Sequence, residues 1–151
     1  RDSGSQLGPV ISPKDFEELF AEKYRLLFEL GHRFGARNIM HCCGSVRAFI
    51  PRLIDLGLDI LDVIQVSAVG MEIEGLRNDF GNDLSFCGSM CVQSTLLHDG
   101  PDYIRSEVQR RLDLFPDGGL ILGPSHAIQA GTPLENVLAM YESAKTQQPA
   151  R

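Results

Sequence analysis

Asn38-Ile39-Met40-His41-Cys42-Cys43-Gly44-Ser45-Val46 is a short apolar run that carries one histidine and two thiols and then breaks at a glycine. Residues 38–43 read as a buried strand leading into a turn, because a brief apolar run bounded by a turn residue suits a strand of a covered parallel sheet. Upstream, Phe16, Leu19, Phe20, Leu26, Leu27 and Leu30 recur with helical spacing between Ser12 and His32. Ser12 falls at the N-cap and Pro13 at the first helical position, so one long amphipathic helix precedes the strand, broken by Gly31 and Gly35. Downstream the alternation repeats, with helices over roughly 46–56, 71–80 and 101–114 and strands around 60–65, 84–87 and 120–122. A loop at 123–131 then leads to a final helix from Thr132, with Pro133 at its first position and Glu135 at the capping-box position.

Four strands alternating with helices require parallel pairing and helices packed on the sheet, which makes the class α/β. Periodicity alone does not separate an open doubly wound sheet from part of a barrel. The strand ends favour the barrel. Each runs into a loop with polar or reactive side chains: His41 and Cys43, Gln65 and Ser67, Cys91 and Gln93, His126 and Gln129. In a barrel those loops meet at one mouth, whereas an open sheet gathers only those at its switch point. A whole barrel needs about 250 residues, so this chain of 151 residues reads as a single domain of four βα units, half of a (β/α)8 barrel.

A net charge of -6 with scattered basic residues gives no footprint for nucleic acid. No apolar run is long enough to cross a bilayer, and the N-terminus lacks a signal-like apolar segment, so a cytoplasmic protein is expected. Cys42, Cys43, Cys87 and Cys91 lie in or beside strands and are expected as reduced thiols. The chain opens on Arg1 without an initiator methionine, as expected of a piece of a longer protein.

His41 and Cys43 are two apart on a strand, so both side chains point to one face, while Cys42 points into the layer between strand and helix. Imidazole and thiolate on one face make two legs of a metal site, with an open position for substrate once a third ligand is added. His126, in Gly123-Pro124-Ser125-His126 after the last strand, is the candidate third leg. The plainer alternative is a packed thiol beside a satisfied histidine, and a loop histidine bonded to a carbonyl. Gln6, Gln65, Gln93 and Gln129 are candidates, with His126, for holding a polar substrate, since amides both donate and accept. Taken individually, each reads first as a loop amide. Cys87 reads as core and Cys91 as facing the mouth; His32 and His98 receive no role.

The segments Gly8-Pro9-Val10-Ile11-Ser12-Pro13, His41-Cys42-Cys43-Gly44-Ser45, Gln65-Val66-Ser67-Ala68-Val69-Gly70-Met71 and Pro133-Leu134-Glu135-Asn136 occur in the order seen in the C-terminal half of the uroporphyrinogen decarboxylase superfamily, which the chain resembles over nearly its whole length. The resemblance implies a (β/α)8 barrel with its active site at the C-terminal mouth. One branch moves a methyl group from a corrinoid to a thiol such as coenzyme M, with zinc on a His-x-Cys pair and a later cysteine. His41 and Cys43 match the pair, and His126 stands where the later cysteine is expected. The decarboxylase branch lacks the pair but also has a histidine in a loop like that of His126. Its Gly-x-x-Asp turn is here Gly88-Ser89-Met90-Cys91, with a thiol for the carboxylate. The resemblance therefore implies a zinc-dependent methylcobamide:thiol methyltransferase, with a porphyrinogen decarboxylase or a catalytically inactive fragment as alternatives. Expected partners are a small thiol, a corrinoid or a porphyrinogen. A second copy, or a chain supplying the other barrel half, is expected against the open sheet.

Overall fold

The computed structural model describes residues 3–146. Helix α1 (Pro13–Phe16) starts under the expected cap: the Ser12 hydroxyl accepts from the Asp15 amide at 3.0 Å, and Pro13 needs no donor partner at the first turn. A π-helical turn (Glu17–Ala21) and α2 (Glu22–Arg33) continue the same rod. Strand β1 (Ile39–His41) follows, then a 3₁₀ turn (Arg47–Phe49) and α3 (Ile50–Asp55). Next come β2 (Ile60–Ile64), α4 (Ile73–Phe80) and β3 (Ser85–Met90). A short α5 (Thr95–His98) precedes α6 (Pro101–Leu114), β4 (Leu120–Pro124) and α7 (Leu134–Thr146).

The four strands form one sheet in the order β1-β2-β3-β4, every pair parallel. Residues alternate across it. Met40, Leu61 and Phe86 point toward the helices and are buried with Phe16, Phe28, Phe49 and Leu53, which form the larger core. A second core of Met90, Leu96, Ile104, Val108 and Met140 seats α5, α6 and α7 on the end of the sheet. The opposite sheet face has no helical layer among the described residues: Ile39 on β1 and Ile121 on β4 remain 55% and 52% exposed.

Two local features shape the strand ends. The β2–β3 register shifts between Asp62 and Ile64. Opposite this irregularity Gly88 has φ of +98°, and a Cβ there would lie 2.4 Å from Val63 Cγ2, so only glycine fits. Ser89 follows with φ of +82° although it carries a side chain and is fully buried. Its backbone is held by Arg111 of α6, whose Nη2 and Nε donate to the Ser89 carbonyl at 3.0 and 3.2 Å.

At the same end, residues 3–10 form a small hairpin, with the Val10 amide donating to the Ser3 carbonyl. This hairpin laces the loops after β1 and β2. The Ser45 amide donates to the Ser5 carbonyl at 2.7 Å, and the Val69 amide to the Gln6 carbonyl at 3.0 Å.

Three expectations change. Strand β1 covers only Ile39–His41, so Cys42 and Cys43, read from the sequence as part of the strand, lie just past its end. The last helix begins at Leu134, and the Thr132 hydroxyl is buried without a hydrogen-bond partner, so the expected capping box is not formed. Strand β3 runs to Met90, past the glycine at which the sequence reading stopped it, because pairing with β4 continues through Ser89 and Met90. No described helix is long and apolar enough to cross a membrane.

Candidate functional site

Parallel register puts His41, Asp62, Cys87 and Ile121 in one row across the sheet, on the face that no described helix covers. His41 Nδ1 lies 2.6 Å from Asp62 Oδ2, and its Nε2 lies 3.5 Å from Cys43 Sγ. The histidine thus bridges a carboxylate on the neighbouring strand and the thiol two residues on. Cys42, just past the end of β1, is buried, and its sulfur accepts from the Ser3 amide at 3.1 Å.

Cys87, expected as core, stands half-buried in this row. Its thiol is pushed up to about 11 by burial, and a hydrogen bond to the Asp62 carboxylate acts in the same direction, since negative charge beside sulfur disfavours thiolate. The Cys87 thiol is therefore protonated at neutral pH. No disulfide joins any of the four cysteines.

Four of the five candidate substrate-holding residues share one cavity of about 270 Å³: Gln65, Gln93, His126 and Gln129 line it with Val92. Gln65 is fixed there, because its side-chain oxygen accepts from the Gly44 amide at 3.1 Å in the turn that follows Cys43. Gln93 accepts from the Ser67 hydroxyl at 3.2 Å, which links the loops after β2 and β3. Gln129 donates to the Ala127 carbonyl at 2.6 Å within its own loop. Gln6 stays outside this lining and contributes its backbone carbonyl to the bond with Val69.

Among the described residues no three His, Cys, Asp or Glu side chains are grouped as a metal site, so His126 does not stand with His41 and Cys43. The pair alone still fits a metal. Two ligands on one tetrahedral zinc, with Zn–N of about 2.0–2.1 Å and Zn–S of about 2.3 Å, are separated by roughly 3.6 Å, and His41 and Cys43 already stand 3.5 Å apart.

Cys91 is buried instead of facing the mouth, and lines a separate cavity of about 280 Å³ with Ser67, Ser94, Glu72 and Arg111. Burial raises its thiol pKa, but hydrogen bonds from the Ser94 hydroxyl, the Gln93 and Ser94 amides and the Ser67 hydroxyl outweigh that and leave it lowered. His32, given no role from sequence, pairs through Nε2 with Asp59 Oδ2 at 2.7 Å near the far end of the sheet. Asp62 is the site residue that sequence reasoning passed over. The signal was available: a lone carboxylate within Ile60-Leu61-Asp62-Val63-Ile64 needs a partner if its strand is to be covered.

Parallel βα units whose strand ends carry the polar and reactive groups define a partial (β/α)8 barrel. Residues 4–147 match the family model for uroporphyrinogen decarboxylase (URO-D), and the chain belongs to that family. It is 29% identical over 132 residues to the methylcobamide:CoM methyltransferase MtaA of Methanosarcina barkeri, covering 87% of this chain and 36% of that protein. It is 28% identical over 136 residues to the methylated-thiol--coenzyme M methyltransferase of Methanosarcina mazei, covering 90% of this chain and 34% of that one. A solved methyltransferase structure from Methanosarcina mazei superposes with a TM-score of 0.71 at 22% identity, over 90% of this chain and 38% of that chain, a likeness of fold. The chain thus spans about a third of the length of these relatives.

Proposed function

We propose that this chain supplies the metal-holding side of the mouth of an enzyme that transfers a methyl group from a corrinoid to a small-molecule thiol. The observation that carries the reading is the 3.5 Å separation of His41 Nε2 and Cys43 Sγ, close to one edge of a tetrahedral zinc site. The two relatives, both named as coenzyme M methyltransferases, support the reaction class. His126 would complete the set from the loop after β4, which must carry it toward the pair, and the fourth position is left to the thiol. Zinc in such a set is a Lewis acid that lowers the pKa of a thiol, so that the thiolate can take the methyl group.

The rest is the work of this chain's own groups. His41 and Cys43 must give up competing protons to act as ligands, so zinc binding weakens in acid. Gln65, Gln93 and Gln129 line a cavity at the strand ends with no carboxylate in it, suited to a polar, acceptor-rich end of a substrate. The exposed Ile39 and Ile121 suit cover by the other half of a barrel or by a second copy. We propose a cytoplasmic enzyme of which this chain is one partial-barrel domain.

The test is zinc analysis of the purified protein under reducing conditions, beside His41→Ala, Cys43→Ser and His126→Ala. Zinc is expected in the parent, lost in the first two and weakened in the third. Zinc retained undiminished in all three, or none taken up by the parent, overturns the proposal.

A further inference from the structure

We infer that Asp62 is a positioning residue for His41, selecting the imidazole tautomer protonated at Nδ1 and turning the Nε2 lone pair toward the Cys43 sulfur. A carboxylate only accepts hydrogen bonds, so the 2.6 Å contact between Asp62 Oδ2 and His41 Nδ1 requires the proton on Nδ1 in the neutral ring. Nε2 is then an acceptor, 3.5 Å from Cys43 Sγ. A neutral imidazole in water prefers its proton on the other nitrogen, so the arrangement is imposed by the sheet.

The imposition comes from register. His41 and Asp62 are Cα partners across β1 and β2, and Asp62 and Cys87 are partners across β2 and β3. The backbone ties the same two strands here, since the Cys42 amide donates to the Asp62 carbonyl at 2.5 Å. The Asp62 carboxylate is three-quarters buried on the side-chain scale, with 26% exposure, against 55% for His41. The more buried partner therefore orients the more exposed one. Cys87, the register partner of Asp62 on the far side, keeps its thiol protonated beside the carboxylate. The resulting row, Cys87 to Asp62 to His41 to Cys43, matches the way a carboxylate behind a histidine orients it as a ligand and raises its basicity.

This inference rests on the proposed function only in assigning a use to Nε2; the tautomer is a property of the metal-free protein. Nitrogen-15 NMR of the histidine side chains, at a pH where imidazole is neutral, is expected to show His41 with its proton on Nδ1. In Asp62→Ala the signal should move to the Nε2-protonated form, and in Cys87→Ser, whose hydroxyl can still donate, it should stay. Zinc affinity measured against a competing chelator is expected to fall about 10- to 100-fold in Asp62→Ala. An Nε2-protonated His41 in the parent overturns the inference and needs no variant to fold. So does an Asp62→Ala protein with the parent tautomer. If the tautomer follows Asp62 but the parent binds no zinc, the positioning role stands and the metal reading falls. If zinc binds and the tautomer ignores Asp62, the reverse holds.

Discussion

Arg111 offers the sharpest test of how the sheet end is held. Its guanidinium is 2% exposed and makes contacts in two directions: Nη1 to Glu107 Oε2 at 2.6 Å, and Nε and Nη2 to the Ser89 carbonyl. Arg111→Met keeps most of the apolar stem but strips the fully buried Ser89 of two donors to its carbonyl, a loss of about 1–3 kcal/mol for a buried group left short of partners. Breaking a buried ion pair from one side ordinarily costs about 3–5 kcal/mol. Glu107 keeps Arg110 at 2.9 Å, however, so the lower part of that range applies. The contacts also hold Ser89 at a positive φ, a conformation worth on the order of 1–3 kcal/mol of strain for a residue with a side chain. The expected loss is about 2–4 kcal/mol, a large share of the roughly 5–15 kcal/mol that holds a domain together. Arg111→Ala should lose more, at about 0.8 kcal/mol for each further methylene removed. Urea unfolding followed by circular dichroism measures it, with the m-value unchanged. A loss below about 1 kcal/mol in both variants would show that the guanidinium roughly breaks even against its own desolvation, and would refute the clamp.

Other outcomes follow from the same contacts. Asp59 is held down to about 2 because the Asn38 amide, His32 and Arg37 outweigh the opposing effect of its burial. A depressed carboxyl contributes stability that is present above its unfolded value near 3.8 and is lost as pH falls through the folded value. The urea midpoint of the parent should therefore drop between about pH 4 and pH 2, and Asp59→Asn should flatten that drop; an identical acid limb in the variant would sink the assignment. Cys87, pushed up to about 11, should alkylate slowly at pH 8 relative to a model thiol, and faster in Asp62→Ala than in the parent. Mass-spectrometric rates at Cys87 that do not change between the two would count against the bond.

The α/β class was legible because the longer helices and the four strands announced themselves locally. Helix α6 spans Pro101–Leu114, the bounds expected from a proline at its first position and a helical recurrence of apolar residues. Helix α5 went unread because four residues, Thr95–His98, are too few to show a period. The length of β3 was hidden for a different reason: Gly88 and Ser89 look like a turn, and what keeps them in the sheet is Arg111, 22 residues away in sequence. At the site, His41 and Cys43 stand together as their spacing suggested, although β1 ends at His41, and the shared cavity of Gln65, Gln93, His126 and Gln129 followed from reading each as a strand end. Asp62 required the register, which sequence periodicity does not give. Spacing could not foretell that His126 would stand apart from the pair.

The hairpin at residues 3–10 has a kinetic consequence. One short segment accepts the Ser45 amide on the loop after β1 and the Val69 amide on the loop after β2. Those loops carry Cys43 and Gln65 at their starts, and the Gly44 amide joins them through the Gln65 side chain. Detaching the segment therefore frees two loops in a single event. Protection of the Ser45 and Val69 amides against hydrogen exchange should then share one opening free energy, well below that of amides in the middle of the sheet. A ligand that needs both loops in place would slow exchange at both amides together, and the mouth would open and close as one cooperative unit.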